Sequence, residues 1–540
     1  MSDVLSRIAA CIVCTCLFYV ATYKSLGALQ QCGYKNGKFA RWLTRKDNLY
    51  YNRLALWSGL GLLSTGVVAL TFSFADAKIA LLLSALPFLL FCVLFCIADR
   101  KYALKVPVAA TGRIKRLSAV YVLFTACVSY LVIALLAFVG KLVDSELYGV
   151  LAYLPFTLMP LLLPWILCLA NAADGLYETP RNKRFVRRAG RILDETKIIR
   201  VAVVGSCGKT SVKNILKSIL SAKYSVVATP ESYNTPVGIA KTVTSGEFTD
   251  KQVLVAEMGA RRIGDIAELC ALVKPDFAVF TGVCAQHIET FGSLENVLKG
   301  KSEVLKGTSD KVVCGEGLKE KILTLPLETA SLSDKEKCVY ADYGALIGAL
   351  LLKPDGTSFV LRLPERKEIF VDTPLLGKHS AENIALAALL AAEMGLTEEE
   401  ISAGIEKIEP IPHRLQLIES GGVHILDDSY NSNPVGAAEA VEALKRFGGR
   451  KIVVTPGLVE TGILDERLNG ELGARLAGLD LVILVGDTLV GAVKAGYTAA
   501  GGEAEKLVLR STLDAAREYL ADVVETGDAV LFLNDLPDAW

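Results

Sequence analysis

The sequence has no net charge and very few histidines. Its 58 lysines and arginines balance 58 aspartates and glutamates, and only four of its 540 residues are histidine. This balance excludes a chain that is basic overall and binds nucleic acid, and a charged fraction of 21% argues against global disorder. No internal repeat or low-complexity segment is present. The length predicts about three or four domains, while the hydrophobic fraction of 52% suggests a very apolar part joined to an ordinary soluble part.

Five long apolar stretches fill the first third of the chain. They are about Arg7–Tyr23, Leu54–Phe74, Ala77–Ala98, Leu117–Val139 and Tyr148–Ala170. Each is near the ~20 residues that a helix needs to cross a bilayer core. A cleaved signal peptide accounts only for the first, and no comparable stretch follows residue 171. The sequence therefore predicts five transmembrane helices within residues 1–175.

Basic residues are concentrated in alternate loops between these stretches. Seven lie in Lys24–Arg53, six in Arg100–Arg116 and six between residues 181 and 191, whereas the other two loops have one lysine each. The positive-inside rule then places the N-terminus outside and everything after residue 171 in the cytoplasm. Residues 176–194 are expected to form a basic juxtamembrane connector, which either contacts anionic membrane lipids or serves only as topogenic charge.

The cysteines show no pattern of a metal site. Eight of the 13 precede residue 170. The other five are scattered, at Cys207, Cys270, Cys284, Cys314 and Cys338. No disulfide framework is expected in a cytoplasmic domain, so we interpret the cysteines as small apolar residues.

Short apolar strands alternate with helices after residue 195, which predicts a mostly parallel sheet covered on both faces. The central domain, residues 195–414, has predicted strands at Ile198–Val204, Val253–Ala256 and Phe277–Thr281, helices at Thr210–Leu220 and Ala381–Met394, and a hairpin of Leu351–Lys353 with Ser358–Leu363. A second, smaller α/β domain is predicted for residues 415–540. Its strands are expected at Val423–Leu426, Lys451–Thr455, Leu481–Val485 and Ala529–Leu533.

The motif Gly205-Ser-Cys-Gly-Lys-Thr-Ser211 follows a predicted strand and opens a predicted helix. Glycines let backbone N–H groups approach a phosphate, the lysine reaches the β- and γ-phosphates, and the threonine hydroxyl suits Mg²⁺. The eight-residue P-loop pattern is incomplete, because Val203 stands in place of its first glycine. The motif therefore predicts a shortened phosphate loop, with a chance Gly-Lys-Thr turn as the alternative.

Three further residues are candidates for the chemistry of a nucleotide site. Glu257 follows the strand Val253–Ala256 and suits Mg²⁺, although a strand-end carboxylate can also lie in solvent. His287 follows the strand Phe277–Thr281, and a single histidine is more often structural than a ligand. Lys301 lies in a helical stretch, Asn296–Leu305, where taken alone it reads as a solvated charge.

These motifs, taken in order, resemble the Mur ligase family, and most of all its muramoyl-tripeptide–D-alanyl-D-alanine ligase branch. The resemblance covers about residues 195–540. It rests on Gly-Lys-Thr-Ser211, Tyr233-Asn-Thr-Pro-Val-Gly238, Glu257-Met-Gly-Ala260, His287 with Phe291-Gly-Ser-Leu294, Lys301, Gly377-Lys-His-Ser-Ala-Glu-Asn383, His413-Arg-Leu-Gln416 and Asp427-Asp-Ser-Tyr-Asn-Ser-Asn-Pro434. It implies a P-loop ATPase-like central domain and a Rossmann-like C-terminal domain behind the transmembrane region.

The family joins a carboxylate to an amine by way of an acyl phosphate made with ATP. Such phosphoryl transfer depends on cations and on positioning. The resemblance implies that ATP is bound by Gly205, Ser206, Gly208, Lys209, Thr210, Ser211, Asn383, Arg414 and Asp428. It implies that two Mg²⁺ ions are held by Thr210, Glu257, His287 and Lys301, the last of these as a carbamylated lysine.

The resemblance also implies individual roles for the matching residues. Lys209, His287, Lys301 and Arg414 match the catalytic positions, and Arg414 reaches the γ-phosphate from the domain junction. Asn383 matches an adenine contact and Asp428 another nucleotide contact. Asn234 and Thr235 match the loop that faces the acyl phosphate.

The chain departs from the family in two respects. Five predicted spans stand where the family has the domain that grips a UDP-sugar. In the C-terminal domain, Thr455-Pro-Gly-Leu-Val-Glu-Thr-Gly462 and Asn534-Asp-Leu-Pro-Asp-Ala-Trp540 replace the usual segments that select the amine. The acceptor and the amine therefore stay open.

Three functions are compatible with these features. The first is a ligase of the bacterial-type cell membrane, with cytoplasmic catalytic domains, that adds an amino acid or dipeptide to a peptidoglycan-type precursor, either soluble or lipid-linked. The second is a poly-γ-glutamate-type synthase. The third is an ATP-driven transporter or flippase, against which the few spans with almost no ionisable residues argue.

Overall fold

The computed structural model describes residues 2–44, 49–72, 90, 92–97, 108–143, 154–231, 233–284, 288–430, 433–459, 461, 464–486 and 489–534. The chain divides into two compact units, of which the first extends to Asn182 and the second begins at Lys183.

Long apolar helices form the first unit. Their bounds are Ser2–Gln31, Asn36–Leu43, Leu49–Phe72, Gly112–Val143 and Leu154–Glu195, and residues 92–97 are also helical. Aromatic and aliphatic side chains such as Phe18, Trp57 and Tyr121 form its core. Its exposed positions include Leu63, Leu131 and Leu169, each more than 60% exposed. A unit that is apolar both inside and outside is typical of helices surrounded by lipid.

Three helices of the described residues are long and apolar enough to cross a membrane: Cys11–Gln31, Gly112–Leu135 and Leu158–Glu195. They overlap the first, fourth and fifth predicted spans, although the start of the fifth lies outside the described residues. The second predicted span falls on the helix Leu49–Phe72, and most of the third, Ala77–Ala98, lies outside the described residues. The count of five spans therefore stays a prediction. The predicted connector, 176–194, is helical and belongs to Leu154–Glu195.

A buried charge cluster joins two of these helices. Asp174, whose side chain is 2% exposed, lies 3.3 Å from Nε of Arg113 and 3.5 Å from Nε of Arg116. Arg116 also pairs with Glu178, and the Arg113 guanidinium lies 3.9 Å above the ring of Tyr34. The cluster connects the start of Gly112–Val143 to the middle of Leu154–Glu195, so these four charges neutralise one another at a helix contact.

The central domain is built on a six-stranded parallel sheet. Its strands are β1 Ile199–Val204, β2 Val226–Ala228, β3 Val253–Glu257, β4 Phe277–Phe280, β5 Val312–Cys314 and β6 Cys338–Tyr340, in the order β2-β3-β1-β4-β5-β6. Along β1, Val201 and Val203 pack into one hydrophobic core, whereas Ala202 and Val204 pack into the core on the other face. This alternation confirms the predicted sheet with both faces covered.

Helices cover both faces of this sheet. Those of the domain are Lys209–Leu220, Pro236–Val243, Asp265–Val273, Ile288–Phe291, Leu294–Lys301, Glu303–Gly307, Lys319–Leu323, Leu332–Glu336, Tyr343–Leu346, Lys378–Glu393 and Glu398–Ile405, with a 3₁₀ turn at Gly246–Phe248. The predicted helical stretch Asn296–Leu305 is divided, because Ser302 separates two helices. The predicted hairpin is present, and a third strand extends it into the antiparallel sheet of β7 Ile347–Leu352, β8 Thr357–Leu361 and β9 Ile369–Thr373.

The C-terminal domain contains a second six-stranded sheet. Its strands are β10 Gln416–Ser420, β11 Val423–Asp428, β12 Lys451–Thr455, β13 Leu481–Val485, β14 Leu507–Arg510 and β15 Ala529–Leu533, in the order β10-β11-β15-β12-β13-β14. Only the pair β10–β11 is antiparallel among the pairings described. The helices are Pro434–Leu444, Asp465–Leu476, Val490–Ala499 and Leu513–Val523, with a 3₁₀ turn at Ala504–Lys506. The four predicted strands are confirmed, with β11 two residues longer than expected.

Candidate active site

The phosphate loop connects β1 to the helix that begins at Lys209. Gly208 has φ of 75°, in the left-handed region, and a Cβ there would lie 2.8 Å from Oδ1 of Asn383. A Cβ on Gly205 would overlap the side chain of Thr281. Only glycine fits at these two positions: at Gly208 because of its backbone conformation, and at Gly205 because the Thr281 side chain leaves no space for a Cβ. This is the geometry expected of a loop that wraps a phosphate.

Strand β4 supports the loop from the neighbouring position in the sheet. The backbone N–H of Ser206 donates to the carbonyl oxygen of Gly282 over 2.8 Å, and the Thr281 hydroxyl donates to the carbonyl oxygen of Cys207. Oγ of Ser206 is buried and makes no hydrogen bond to any residue that the structure describes. An orphaned buried hydroxyl in a glycine loop at a helix N-terminus fits a bound phosphate oxygen.

Lys209 folds back over this loop. Its Nζ donates to the carbonyl oxygen of Ser206 over 3.1 Å, and its burial lowers the pKa of the ammonium group. The nearby charge of Glu257 opposes this shift, and a phosphate bound in the loop would add further negative charge beside the ammonium group. Ser211, in the first turn of the same helix, is half-buried.

The Glu257 carboxylate is the centre of a polar cluster. It is 1% exposed, so the alternative of a solvated strand-end carboxylate is wrong. Its Oε2 accepts a 3.0 Å hydrogen bond from the hydroxyl of Thr210, and its Oε1 accepts one of 3.0 Å from Nδ2 of Asn234. The threonine hydroxyl and the carboxylate, side by side at the end of β3, fit the oxygen ligands that Mg²⁺ prefers. Among the described residues no group of three His, Cys, Asp or Glu side chains forms a metal site.

Lys301 contacts the phosphate loop, although taken alone it resembled a solvated charge. It is 1% exposed, and its Nζ donates to the carbonyl oxygen of Gly205 over 2.9 Å. Burial, together with the nearby charge of Lys209, lowers the pKa of Lys301 to about 7. His287, the remaining predicted metal ligand, lies outside the described residues.

Two thiols lie beside the loop. A hydrogen bond from Cys284 lowers the pKa of Cys207 to about 7, while the same contact and burial raise the pKa of Cys284. Cys207 is therefore chemically distinct from the small apolar residue that the sequence suggested.

The nucleotide-contact candidates of the domain junction cluster near residues 413–430. The Arg414 guanidinium stacks 4.5 Å from the centre of the Tyr430 ring, and Oδ1 of Asp428 accepts a 3.1 Å hydrogen bond from the backbone N–H of Leu415. The next acid, Asp427, lies 2.7 Å from Nδ1 of His413. Asn383 stands apart from these residues, against Gly208 of the phosphate loop. Thr235, in the loop with Asn234, accepts from the backbone N–H of Gly238 over 3.2 Å and caps the helix Pro236–Val243.

The two segments that depart from the family contact each other. Nδ2 of Asn534 donates to the carbonyl oxygen of Gly457 over 2.9 Å. The buried Asn469 accepts from the backbone N–H of Leu458 over 2.7 Å and donates to its carbonyl oxygen over 3.1 Å. The described parts of both unusual segments thus form one hydrogen-bonded substructure.

Sequence reasoning missed one residue of the Glu257 cluster. Nζ of Lys213 lies 3.4 Å from Oε2 of Glu257, and both side chains are almost fully buried. The sequence did contain a signal for its burial. Lys213 stands next to Val212 and two residues before Ile215, which both lie on the buried face of the helix Lys209–Leu220.

Comparison with known protein families identifies two domains. The Mur ligase middle domain matches residues 203–392, and the Mur ligase glutamate ligase domain matches residues 413–534. Together these matches cover more than half of the chain.

Similarity to individual proteins agrees with these two domain matches. The UDP-N-acetylmuramoyl-tripeptide–D-alanyl-D-alanine ligase of Escherichia coli K12 is 29% identical over 310 residues, which are 53% of this chain and 64% of that protein. The chain thus spans less than two thirds of the length of this relative. The MurF ligase of Thermotoga maritima in complex with ADP is similar with a TM-score of 0.57 and 26% identity, over 66% of this chain and 80% of that one. MurF from Acinetobacter baumannii has the same fold, with a TM-score of 0.58 and 24% identity over 66% and 77% of the two chains.

Proposed function

Because the chain belongs to the Mur ligase family, we propose that it is an ATP-dependent ligase that forms an amide bond through an acyl phosphate. The observation that carries this proposal is the convergence of Lys209, Thr210, Glu257 and Lys301 on one phosphate loop. These residues come from three separate segments, and their positive charges, hydroxyl and carboxylate suit a nucleotide triphosphate with its metal.

In the proposed reaction, an oxygen of the acceptor carboxylate attacks the γ-phosphorus of ATP, and the bond to the β–γ bridging oxygen breaks to release ADP. The amine then attacks the acyl carbon, and inorganic phosphate and a proton leave. Lys209 and the loop N–H groups hold the phosphates in line, and Arg414 reaches them from the domain junction. Thr210, Glu257, His287 and a carbamylated Lys301 would hold Mg²⁺, which would supply positive charge to neutralise the phosphoryl group.

Carbamylation of Lys301 is supported by its surroundings. A carbamate forms when a neutral amine adds to CO₂, and the buried Lys301 lies in the environment that favours the neutral form. The product is an anion that can ligate a metal, which an ammonium group cannot. Intact mass of the purified chain, measured at neutral pH with and without bicarbonate, tests this. Full activity with an unmodified lysine would remove Lys301 from the metal site.

The N-terminal helices support a proposal that the substrate is bound near the membrane. We propose five spans with the N-terminus outside, the basic segment 176–194 beside anionic lipids, and both catalytic domains in the cytoplasm of a bacterial-type cell. The apolar exposed surface of the described helices supports a membrane location. Since these helices stand where relatives hold a UDP-sugar, the acceptor is proposed to be a cell-envelope precursor of the peptidoglycan type, carried on a lipid. The amine is an amino acid or a dipeptide.

Purified full-length protein in detergent provides the test of this function. With ATP and Mg²⁺, phosphate release should require both an acceptor and an amine, and Lys209→Ala should abolish it. Lys217→Ala, on the exposed face of the same helix, is the matched control and should keep full activity. Ligation by the Lys209→Ala protein would contradict the proposal.

Mass spectrometry of soluble and lipid-linked envelope precursors, from cells with and without the protein, identifies the substrates. The loss of one amino-acid or dipeptide increment from the lipid-linked pool is the expected result. A loss confined to the soluble pool would overturn the lipid-linked acceptor. Incorporation of many residues per chain would instead indicate a polymerase, and ATP-driven flux with no covalent product would indicate a transporter.

A further inference from the structure

Lys213 is a buried cation on the helix that follows the phosphate loop. It is 1% exposed and belongs to the largest fully buried side chains of the described residues. Because taking an ammonium group out of water costs several kcal/mol, a lysine at such a position has to be held by specific partners. Burial lowers the pKa of Lys213, and the nearby Glu257 opposes that shift.

The ammonium group of Lys213 has two partners on different segments. It lies 3.4 Å from Oε2 of Glu257, at the end of β3, and it donates to the backbone carbonyl oxygen of Glu231. The first partner is the proposed metal carboxylate. The second belongs to the loop that leads to Asn234 and Thr235, which are proposed to face the acyl phosphate.

The backbone of this loop is in an unfavourable conformation at the contact. Glu231 has φ of 41°, in the left-handed region that favours glycine. Such a conformation is strained and persists only where the surroundings fix it. The hydrogen bond from Lys213 is one such restraint, and the bond from Asn234 to Oε1 of Glu257 ties the same loop to the same carboxylate.

We propose that Lys213 is a positioning residue, which fixes the Glu257 carboxylate relative to the loop of Asn234 and Thr235. The inference rests on the proposed function, since it gives Lys213 a role only where Glu257 holds a metal. The alternative is a plain counter-charge for a buried carboxylate, for which the position of the ammonium group is irrelevant.

Binding of ADP to the full-length protein in detergent micelles, measured by calorimetry with and without MgCl₂, separates these roles. The ratio of the two affinities measures how strongly Mg²⁺ and nucleotide are coupled. Partners that orient a metal ligand typically contribute about 10- to 100-fold. In Lys213→Met we expect the coupling to fall by that factor, while the affinity for ADP without Mg²⁺ stays unchanged. Lys217 lies one turn further along the same helix and is exposed, so Lys217→Met should behave as the wild type.

Lys213→Arg decides the question if the methionine variant does not fold, as judged by thermal unfolding. Arginine keeps the charge but is longer and planar, so it cannot place its donors where the ammonium group lies. A partial loss of coupling in a stable Lys213→Arg protein supports positioning. Wild-type coupling in Lys213→Arg, or in a folded Lys213→Met, would overturn it. If the wild type itself showed no Mg²⁺-dependent ADP binding, the proposed function would fail, which is a distinguishable outcome.

Discussion

Nζ of Lys301 donates a 2.9 Å hydrogen bond to the backbone carbonyl oxygen of Gly205, 96 residues earlier in the chain. The last residue of the helix Leu294–Lys301 therefore contacts the first residue of the phosphate loop. This contact joins the lysine to the proposed nucleotide site whether or not it carries CO₂. It also gives the loop a support from outside its own strand and helix.

Removal of the Lys301 side chain should abolish most of the ligase activity. We expect Lys301→Ala to lower kcat by at least about 100-fold, as for the loss of a group that stabilises transferred charge. If the active form is a carbamate, a small carboxylic acid such as formate or propionate should restore part of the rate by occupying the vacated space. The exposed Lys299 of the same helix provides the control, and Lys299→Ala should be fully active. An absence of rescue in a folded Lys301→Ala protein would argue against the carbamate.

Cys207 should react with iodoacetamide at an unusually low pH. Its pKa is lowered to about 7 by the hydrogen bond from Cys284, and only the thiolate is nucleophilic. The labelling rate should therefore rise with pH to a half-maximal value near 7, instead of near ~8.5 as for a free thiol. Peptide mass spectrometry after timed alkylation measures this rate for the half-exposed Cys207.

Two controls define the origin of this reactivity. Cys284→Ala removes the donor and should shift the midpoint for Cys207 upward. ATP should protect Cys207, because the residue lies within the phosphate loop. A midpoint near that of a free thiol in the wild type would contradict the hydrogen-bonded pair.

The fold and the outline of the site follow from local patterns in the sequence, because those patterns arise from short-range physics. Glycines at 205 and 208 between an apolar strand and an amphipathic helix predict a phosphate loop, and the structure supplies the conformational reason at Gly208. The apolar run Val253–Ala256 likewise predicts that Glu257 lies at the end of a strand, where the structure has it. The burial of Lys213 and Lys301 was not predictable in this way. Each depends on partners from distant segments, and a lysine on a helix is equally compatible with solvent.

The charge cluster of the N-terminal unit illustrates the same limit. Arg113 and Asp174 are 61 residues apart, and no local spacing rule relates them. The concentration of basic residues between Arg100 and Arg116 predicts only a topogenic role for them. Their ion pairs depend on the contact between the helices Gly112–Val143 and Leu154–Glu195.

Asp174→Ala should destabilise the N-terminal helices. It removes the buried carboxylate that pairs with both Arg113 and Arg116, so that of these ion pairs only that of Arg116 with Glu178 remains. Because the arginines are themselves about a third exposed, we expect a loss of about 1–3 kcal/mol, below the cost for a fully buried pair. Thermal unfolding in detergent measures it. Arg181→Ala, which breaks a pair with Glu178 on a side chain that is 55% exposed, should change stability by less than about 1 kcal/mol. Equal effects of the two variants would show that the cluster is not a buried one.

His379 should make the protein less stable in acid. Its burial lowers the pKa of the imidazole to about 4, and its buried Nδ1 has no hydrogen-bond partner within the described parts of the chain. His379 also lies in the first turn of the helix Lys378–Glu393, where the helix dipole disfavours a cation. The unfolded chain binds a proton at His379 below pH ~6.5, whereas the folded chain does so only near pH 4. Stability is therefore fully present above pH ~6.5 and falls as the pH decreases towards 4, by at most about 1.4 kcal/mol per pH unit.

The variant His379→Phe removes this titration and should flatten that part of the profile. Urea unfolding of both proteins at a series of pH values between 4 and 8 provides the measurement. The difference in unfolding free energy between variant and wild type should be constant above pH ~6.5, which serves as the internal control for any change in packing. Below that pH the difference should move steadily in favour of the variant. Parallel profiles down to pH 4 would mean that the imidazole is protonated in the folded protein as readily as in the unfolded chain, and that its site is accessible to water.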